Sequence, residues 1–209
     1  MFRASASGRQ GGSDPGPAGP RAVWPPPVYQ PPVEGDVLAA RIRARLVEYP
    51  DFPRPGIVFR DLMPILADPG LFRDVIDHLT VEATSAGAGS IAGIESRGFL
   101  FAAPLAARLG LPLFSVRKQG KLPGRTLQES YELEYGEAEL EIQAGSTGAG
   151  DRVFLVDDLL ATGGTLLAAC RLVQRAGAEV AGLAVVVGLG ALGGAARLRD
   201  YRVSILVNL

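Results

Sequence analysis

The residues best placed to do chemistry are Asp157 and Asp158, which follow the apolar run Val153-Phe-Leu-Val and precede Leu-Leu-Ala161-Thr162-Gly163-Gly164-Thr165. The run reads as a buried parallel strand, and Leu166-Leu-Ala-Ala-Cys170-Arg-Leu-Val173 spaces its apolar side chains as a helix does. Turn amides and the positive end of the helix dipole favour a phosphate there, with Gly163 and Gly164 letting the backbone approach it closely. Thr162 and Thr165 add hydroxyl donors. Two carboxylates would repel that phosphate, so they suit ribose hydroxyls or a magnesium ion with its waters. No lysine follows Gly164 as in a Walker loop, and the dinucleotide spacing G-x-G-x-x-G is missing. A bulky residue at Gly163 is expected to weaken phosphate binding far more than folding.

Three other stretches carry candidate groups. Tyr49-Pro-Asp-Phe-Pro-Arg-Pro55-Gly-Ile-Val58-Phe59-Arg60-Asp61 is stiffened by its prolines, offers the Phe59 ring for stacking on a flat base, and exposes backbone groups of Val58 and Arg60 to read its edge. Glu95-Ser96-Arg97-Gly98 lies between an apolar strand and a helix, where open α/β sheets bind ligands, and Ser96, Arg97 and the Gly98 amide suit anionic oxygens. Arg117-Lys118-Gln-Gly-Lys121-Leu-Pro-Gly-Arg125 groups four cations around two glycines, as a mobile loop over a multiply charged leaving group would. Taken alone, it is equally a solvated basic turn.

These residues need a scaffold. A helix is expected from Asp36, acting as N-cap, through Leu38, Ile42 and Leu46, ending near Pro50. A second begins at Asp68-Pro69 and runs through Leu79. Strands at 91–94 and 113–117 flank a helix at 99–109, and 180–187 and 203–207 supply the last strands, so a mostly parallel sheet flanked by helices is expected. Glu129 to Gln143, broken by Tyr135-Gly136, reads as an antiparallel lid hairpin whose acids are mostly solvated.

Composition narrows the function. A formal net charge of -1 argues against a nucleic-acid surface. Cys170 stands alone, so no intrachain disulfide forms, and it reads as a small buried hydrophobe. His78, the only histidine, reads as a helix-surface residue, which leaves no His-based triad or metal cluster. No apolar run approaches the ~20 residues of a membrane span and no apolar leader is seen, so no membrane partner and a cytoplasmic protein are expected. Residues 1–35 hold eight of sixteen prolines and read as a disordered extension, with one domain over 36–209.

Over residues 36–209 the chain resembles the type I phosphoribosyltransferases, and within them the adenine-specific family. The motifs that carry the likeness are Val-Asp-Asp-Leu-Leu-Ala-Thr-Gly-Gly-Thr, Pro-Gly-Ile-Val-Phe-Arg-Asp, Glu-Ser-Arg-Gly and Arg-Lys-Gln-Gly-Lys-Leu-Pro-Gly. The resemblance implies an α/β fold with a small hood and a flexible lid, and transfer of the 5-phosphoribosyl group from phosphoribosyl diphosphate (PRPP) to adenine, giving AMP and diphosphate. It implies that Asp157, Asp158 and Ala161 to Thr165 hold the ribose phosphate. Diphosphate falls to Glu95, Ser96, Arg97, Gly98, Arg117, Lys118 and Lys121, and adenine to Val58, Phe59, Arg60 and Leu159. Glu134 and Tyr135 are implied as catalytic with Arg97, Glu134 managing the ring proton and Tyr135 covering the closed site. Mg2+ comes mainly on PRPP oxygens, with no direct protein ligand, and a homodimer lends an arginine across subunits. A cis peptide in the Glu95 loop is also implied. Two departures stand out: Ile57 replaces a valine, and Gly188-Leu-Gly190-Ala-Leu-Gly193-Gly194 is unusually glycine-rich. Two rival readings stay open: another purine base (xanthine, hypoxanthine or guanine), and a PRPP-sensing regulator without turnover.

Overall fold

Alternating apolar strands and amphipathic helices build the fold of the computed structural model, which describes residues 33–132 and 137–209. In chain order these are α1 (Gly35–Arg45), β1 (Val47–Pro50), β2 (Val58–Asp61), α2 (Met63–Leu66), α3 (Pro69–Ser85), β3 (Ser90–Ile94), α4 (Gly98–Leu109) and β4 (Leu113–Lys118). The lid strands β5 (Thr126–Glu132) and β6 (Glu137–Gln143) follow, then β7 (Arg152–Leu160), α5 (Gly164–Arg175), β8 (Glu179–Gly188), α6 (Gly194–Arg197) and β9 (Val203–Asn208). A seven-stranded sheet runs β5-β6-β4-β3-β7-β8-β9. Its strands from β4 to β9 are parallel, and β6 and β5 add antiparallel at one edge.

Strand side chains alternate faces, so a central strand covered on both sides must be apolar throughout. In β7, Phe154 and Val156 pack with Leu38, Ile42, Val75 and Phe101 from α1, α3 and α4, while Val153 and Leu155 pack with Leu166, Cys170 and Leu172 of α5. The expected strands and helices between 68 and 207 are all found, with ends within a few residues. At the start of α3 the Asp68 carboxylate accepts from the amides of Gly70 and Leu71 at 3.1 and 3.0 Å, a cap worth about 1 kcal/mol. His78 lies in α3, half-buried rather than fully on its surface.

Two expectations need correction. The first helix starts one residue before Asp36, has no side-chain cap, and stops at Arg45 rather than near Pro50. Val47 to Pro50 instead pairs antiparallel with Val58 to Asp61, Tyr49 opposite Phe59. The β-branched and aromatic residues of both segments suit a strand, and Pro50 sits at its end, where a missing donor costs least. What read as a stiff loop is therefore a two-stranded ribbon, turned by a cis Phe52–Pro53 bond and by Asp51, whose Oδ1 accepts the Gly56 amide at 2.7 Å. The second correction is Glu141 on β6: it is 2% exposed, not a solvated acid.

Candidate active site

The chain leaves β3 through α4 toward β4, but leaves β7 through α5 toward β8, in the opposite direction along the sheet and over the opposite face. Between the neighbouring carboxyl ends of β3 and β7 the two loops diverge and leave a crevice, the place where open α/β sheets bind ligands. Two adjoining cavities of about 170 and 360 Å³ occupy it and share Arg97, Asp158 and Thr165. Ala161, Thr162, Gly163 and Leu159 line the smaller; Glu95, Ser96, Lys118 and Asp157 line the larger. A separate cavity of about 320 Å³ between Ser130 and Arg171 contains no acid pair.

Asp157 and Asp158 are both buried. Asp157 Oδ1 accepts the Asp158 amide at 2.8 Å. Burial, and then the charge of Asp158, push the Asp157 carboxyl well above the ordinary carboxylate range. Burial also raises Asp158, although Arg97 opposes it. Arg97 Nε lies 2.8 Å from Asp158 Oδ2, close enough for an ion pair but not aligned as a hydrogen bond. Among the described residues, Asp158 Oδ2 and the buried Arg97 Nη1 have no hydrogen-bond partner. An acceptor and a donor thus stand ready for a polar ligand.

The turn after the acid pair is held in one shape. Gly163 has φ +83°, in the left-handed region that side chains disfavour, and a Cβ there would lie 2.7 Å from the Gly194 carbonyl oxygen. A bulky residue would strike the protein's own backbone, so folding suffers along with binding, contrary to the expectation for this position. No side chain among the described residues caps α5, which leaves its first-turn amides and dipole directed at the turn.

On the β3 side the Glu95–Ser96 peptide is cis, as the resemblance implies. Glu95 Oε2 accepts from Arg117 Nε at 3.1 Å and from the Lys118 amide at 2.9 Å. The Arg117 bond is the main reason the Glu95 carboxyl sits below its usual range and the Arg117 guanidinium above its own. The Glu95 carboxylate therefore faces cations. Gly98 is needed where α4 starts, since a Cβ would lie 2.6 Å from the Val156 carbonyl oxygen. Lys121 is tied through its main chain: its amide and that of Leu122 each donate to Glu141 Oε1 at 2.8 Å. Burial would raise Glu141, but the amides of Leu122, Lys121 and Gly120 outweigh it and hold the carboxyl below its usual range.

The ribbon brings Phe59 against Arg97 at the edge of the crevice, although its ring lines neither cavity. The Arg97 guanidinium lies over the Phe59 ring at 5.4 Å from its centroid, and Phe52 packs edge-on at 5.3 Å. Val58 is exposed beside it, and Arg60 Nε lies 3.2 Å from Glu48. Arg97 thus spans from Phe59 to Asp158. Of the residues singled out in the sequence, Phe59, Leu159, the acid pair, the Ala161–Thr165 turn and the Glu95 loop are gathered here, with Lys118 at the rim. Lys121 is exposed and lines neither cavity. Glu134 and Tyr135 lie outside the described residues. Sequence reading missed Glu141 and Gly194; the acid-apolar alternation marked the strand around Glu141 but not which of its acids turns inward.

Residues 73–207 match the family model described as a phosphoribosyl transferase domain. The chain is 54% identical over 163 residues to the adenine phosphoribosyltransferase of Streptomyces coelicolor, covering 78% of this chain and 87% of that one. The crystal structure of adenine phosphoribosyltransferase from Thermoanaerobacter pseudethanolicus superposes with a TM-score of 0.79 at 43% identity, covering 82% of this chain and 99% of that one. The enzyme of Saccharomyces cerevisiae, complexed with adenine and an imino-altritol bisphosphate, gives 0.77 at 40% identity with the same coverage. The family match, the sequence identity and the shared fold agree, and the chain belongs to the phosphoribosyltransferase family, among its adenine phosphoribosyltransferases.

Proposed function

We propose that the protein transfers the 5-phosphoribosyl group of PRPP to N9 of adenine, releasing AMP and diphosphate. One observation supports this most: Arg97 links a base-sized aromatic face, Phe59, to the acid pair and the glycine turn, so that base, sugar and phosphate places adjoin. The turn amides and the hydroxyls of Thr162 and Thr165 take the 5-phosphate. Asp157 and Asp158 accept from the ribose hydroxyls. The C1–oxygen bond to diphosphate breaks as N9 bonds to C1, and Ser96, Arg97, the Gly98 amide, Lys118 and Lys121 stabilise the departing charge. Glu95 holds Arg117 toward that charge. Val58, Phe59, Arg60 and Leu159 surround the base. Glu134 takes the proton lost from adenine, and Tyr135 covers the site.

Magnesium fits as an ion carried in on PRPP, because Asp158 Oδ2, paired with Arg97 by charge alone and accepting no hydrogen bond from a described residue, would offer an acceptor for its water shell. Such an ion would supply positive charge to the diphosphate oxygens. A homodimer is part of this reading. Leu100 of α4 and Leu113 of β4 are 40% and 47% exposed, which suits a subunit contact; light scattering of the purified protein tests it. No described helix is long and apolar enough to cross a membrane. We assign the protein to the cytoplasm, in keeping with its lone thiol, and cell fractionation checks this.

The deciding assay follows AMP formation from adenine, PRPP and Mg2+ beside hypoxanthine, guanine and xanthine. Adenine turnover at least 100-fold above the others supports the proposal. Turnover of another purine alone overturns the base assignment, and tight PRPP binding with no turnover points to a sensor.

A further inference from the structure

We propose that the glycine-rich segment after β8 is a backing strap for the phosphate turn, with Gly194 as a positioning residue for PRPP. This rests on the turn being the 5-phosphate site. The strap meets the turn at two points. Where β7 enters the turn, the Leu189 amide donates to the Leu160 carbonyl at 2.8 Å. Where the turn leaves for α5, the Gly194 and Gly163 backbones touch. A Cβ on Gly194 would fall inside the van der Waals surface of the Ala161 carbonyl oxygen, and 2.9 Å from both Gly163 N and Leu160 Cδ1. A Cβ on Gly163 would meet Gly194 in return. The approach is reciprocal, and apart from Leu160 Cδ1 it involves backbone rather than side-chain ends that could swing away.

The strap has its own anchor. Gly190 N donates to the Leu209 carbonyl at 3.0 Å, and Leu209 N donates to that of Gly188 at 2.9 Å, so β9 fixes the segment from the far side. Leu198, fully buried just beyond, holds the other end in the core. A phosphate turn works only if its amides converge before the ligand arrives, since amides that must reorganise lose most of their electrostatic benefit. Ala161 to Gly163 contain no bulky side chain that could pack them into place. The strap supplies the missing rigidity from behind, which also accounts for Gly194: it is buried because only hydrogen fits between it and the turn.

The test compares Gly194→Ala with Gly190→Ala, whose Cβ would have its nearest neighbour at 3.6 Å, an ordinary contact. Measured on the full chain are KM for PRPP, KM for adenine, kcat, the Kd of ribose 5-phosphate and the thermal midpoint. Gly194→Ala is expected to raise the PRPP KM and the ribose 5-phosphate Kd about tenfold or more, while the adenine KM moves less than about twofold and Gly190→Ala matches the unaltered protein. A folded Gly194→Ala protein with unchanged PRPP KM overturns the strap. So does an equal rise in both KM values. Should Gly194→Ala fail to fold, hydrogen exchange on the unaltered protein decides: ribose 5-phosphate must slow exchange of the Leu189 amide together with that of Gly163. Protection at Gly163 alone overturns the strap. Absence of any PRPP-dependent turnover or binding in the unaltered protein instead sinks the site assignment beneath it.

Discussion

Two adjacent buried carboxylates oppose folding, and Asp157 and Asp158 are kept in spite of that. The folded-state pKa of Asp157 stands well above its ordinary 3.8, so its favourable contribution is complete below pH 3.8 and is lost as pH rises through the folded value. Asp157→Asn removes the charge and keeps an oxygen for the Asp158 amide. At pH 7 it should raise the melting temperature, with the gain shrinking as pH falls toward 4, while kcat/KM drops roughly 100-fold, the scale of one lost oriented polar contact in a closed site. Calorimetry across pH beside steady-state assays checks both. A substitution at Phe59 distinguishes base binding from phosphate binding. Phe59→Ala should raise the adenine KM by the ~1–3 kcal/mol of a base stack. The PRPP KM should move only by the ~0.5–1 kcal/mol of the lost Arg97 contact. Equal changes in both would place the ring outside the base site.

At the scale of elements, the basic loop between β4 and β5 depends on an acid from β6. Glu141→Ala would take the acceptor from the part-buried amide bonds of Lys121 and Leu122, at about 0.5–1.5 kcal/mol for each lost hydrogen bond, and Glu141→Gln should be milder because one acceptor remains. The PRPP KM should rise in that order. Because the folded pKa of Glu141 lies below the usual 4.5, its anchoring is complete above pH 4.5 and is lost as pH falls through the folded value, so the stability gap between parent and Glu141→Ala should close in acid. Elements with a strong local signature were legible in the sequence. The strand-turn-helix from Val153 to Val173 has a continuous apolar run, acids and glycines in order, and the Asp68-Pro69 start of α3 has its cap. What could not be read depends on partners distant in the chain. The β1–β2 ribbon exists because Tyr49 pairs with Phe59 across a proline turn, and a helical spacing of Leu38, Ile42 and Leu46 extends past the true end of α1. Glu141 and Glu139 are alike in sequence, and only the register with the loop at 120–122 buries one. Gly194 is distinguished by its approach to Ala161 alone.

Across the whole molecule, the site is assembled from both halves of the sheet, and α1 seals one face of it. Leu38 and Ile42 are buried against that face, and Arg43 Nη2 donates to the Asn208 carbonyl at 3.0 Å. A chain beginning at residue 33 should keep full kcat and melting temperature, whereas one beginning at residue 47 should fail to fold; circular dichroism and the AMP assay decide. Cys170, the one sulfhydryl, sits in α5 at the centre of the opposite face, with burial pushing its pKa up to about 12. Alkylating reagents need both access and thiolate, and neither exists while the helix stays on the sheet. Iodoacetamide labelling of the native protein should therefore proceed only through cooperative opening of the core, making this cysteine a built-in clock for how often the enzyme comes apart.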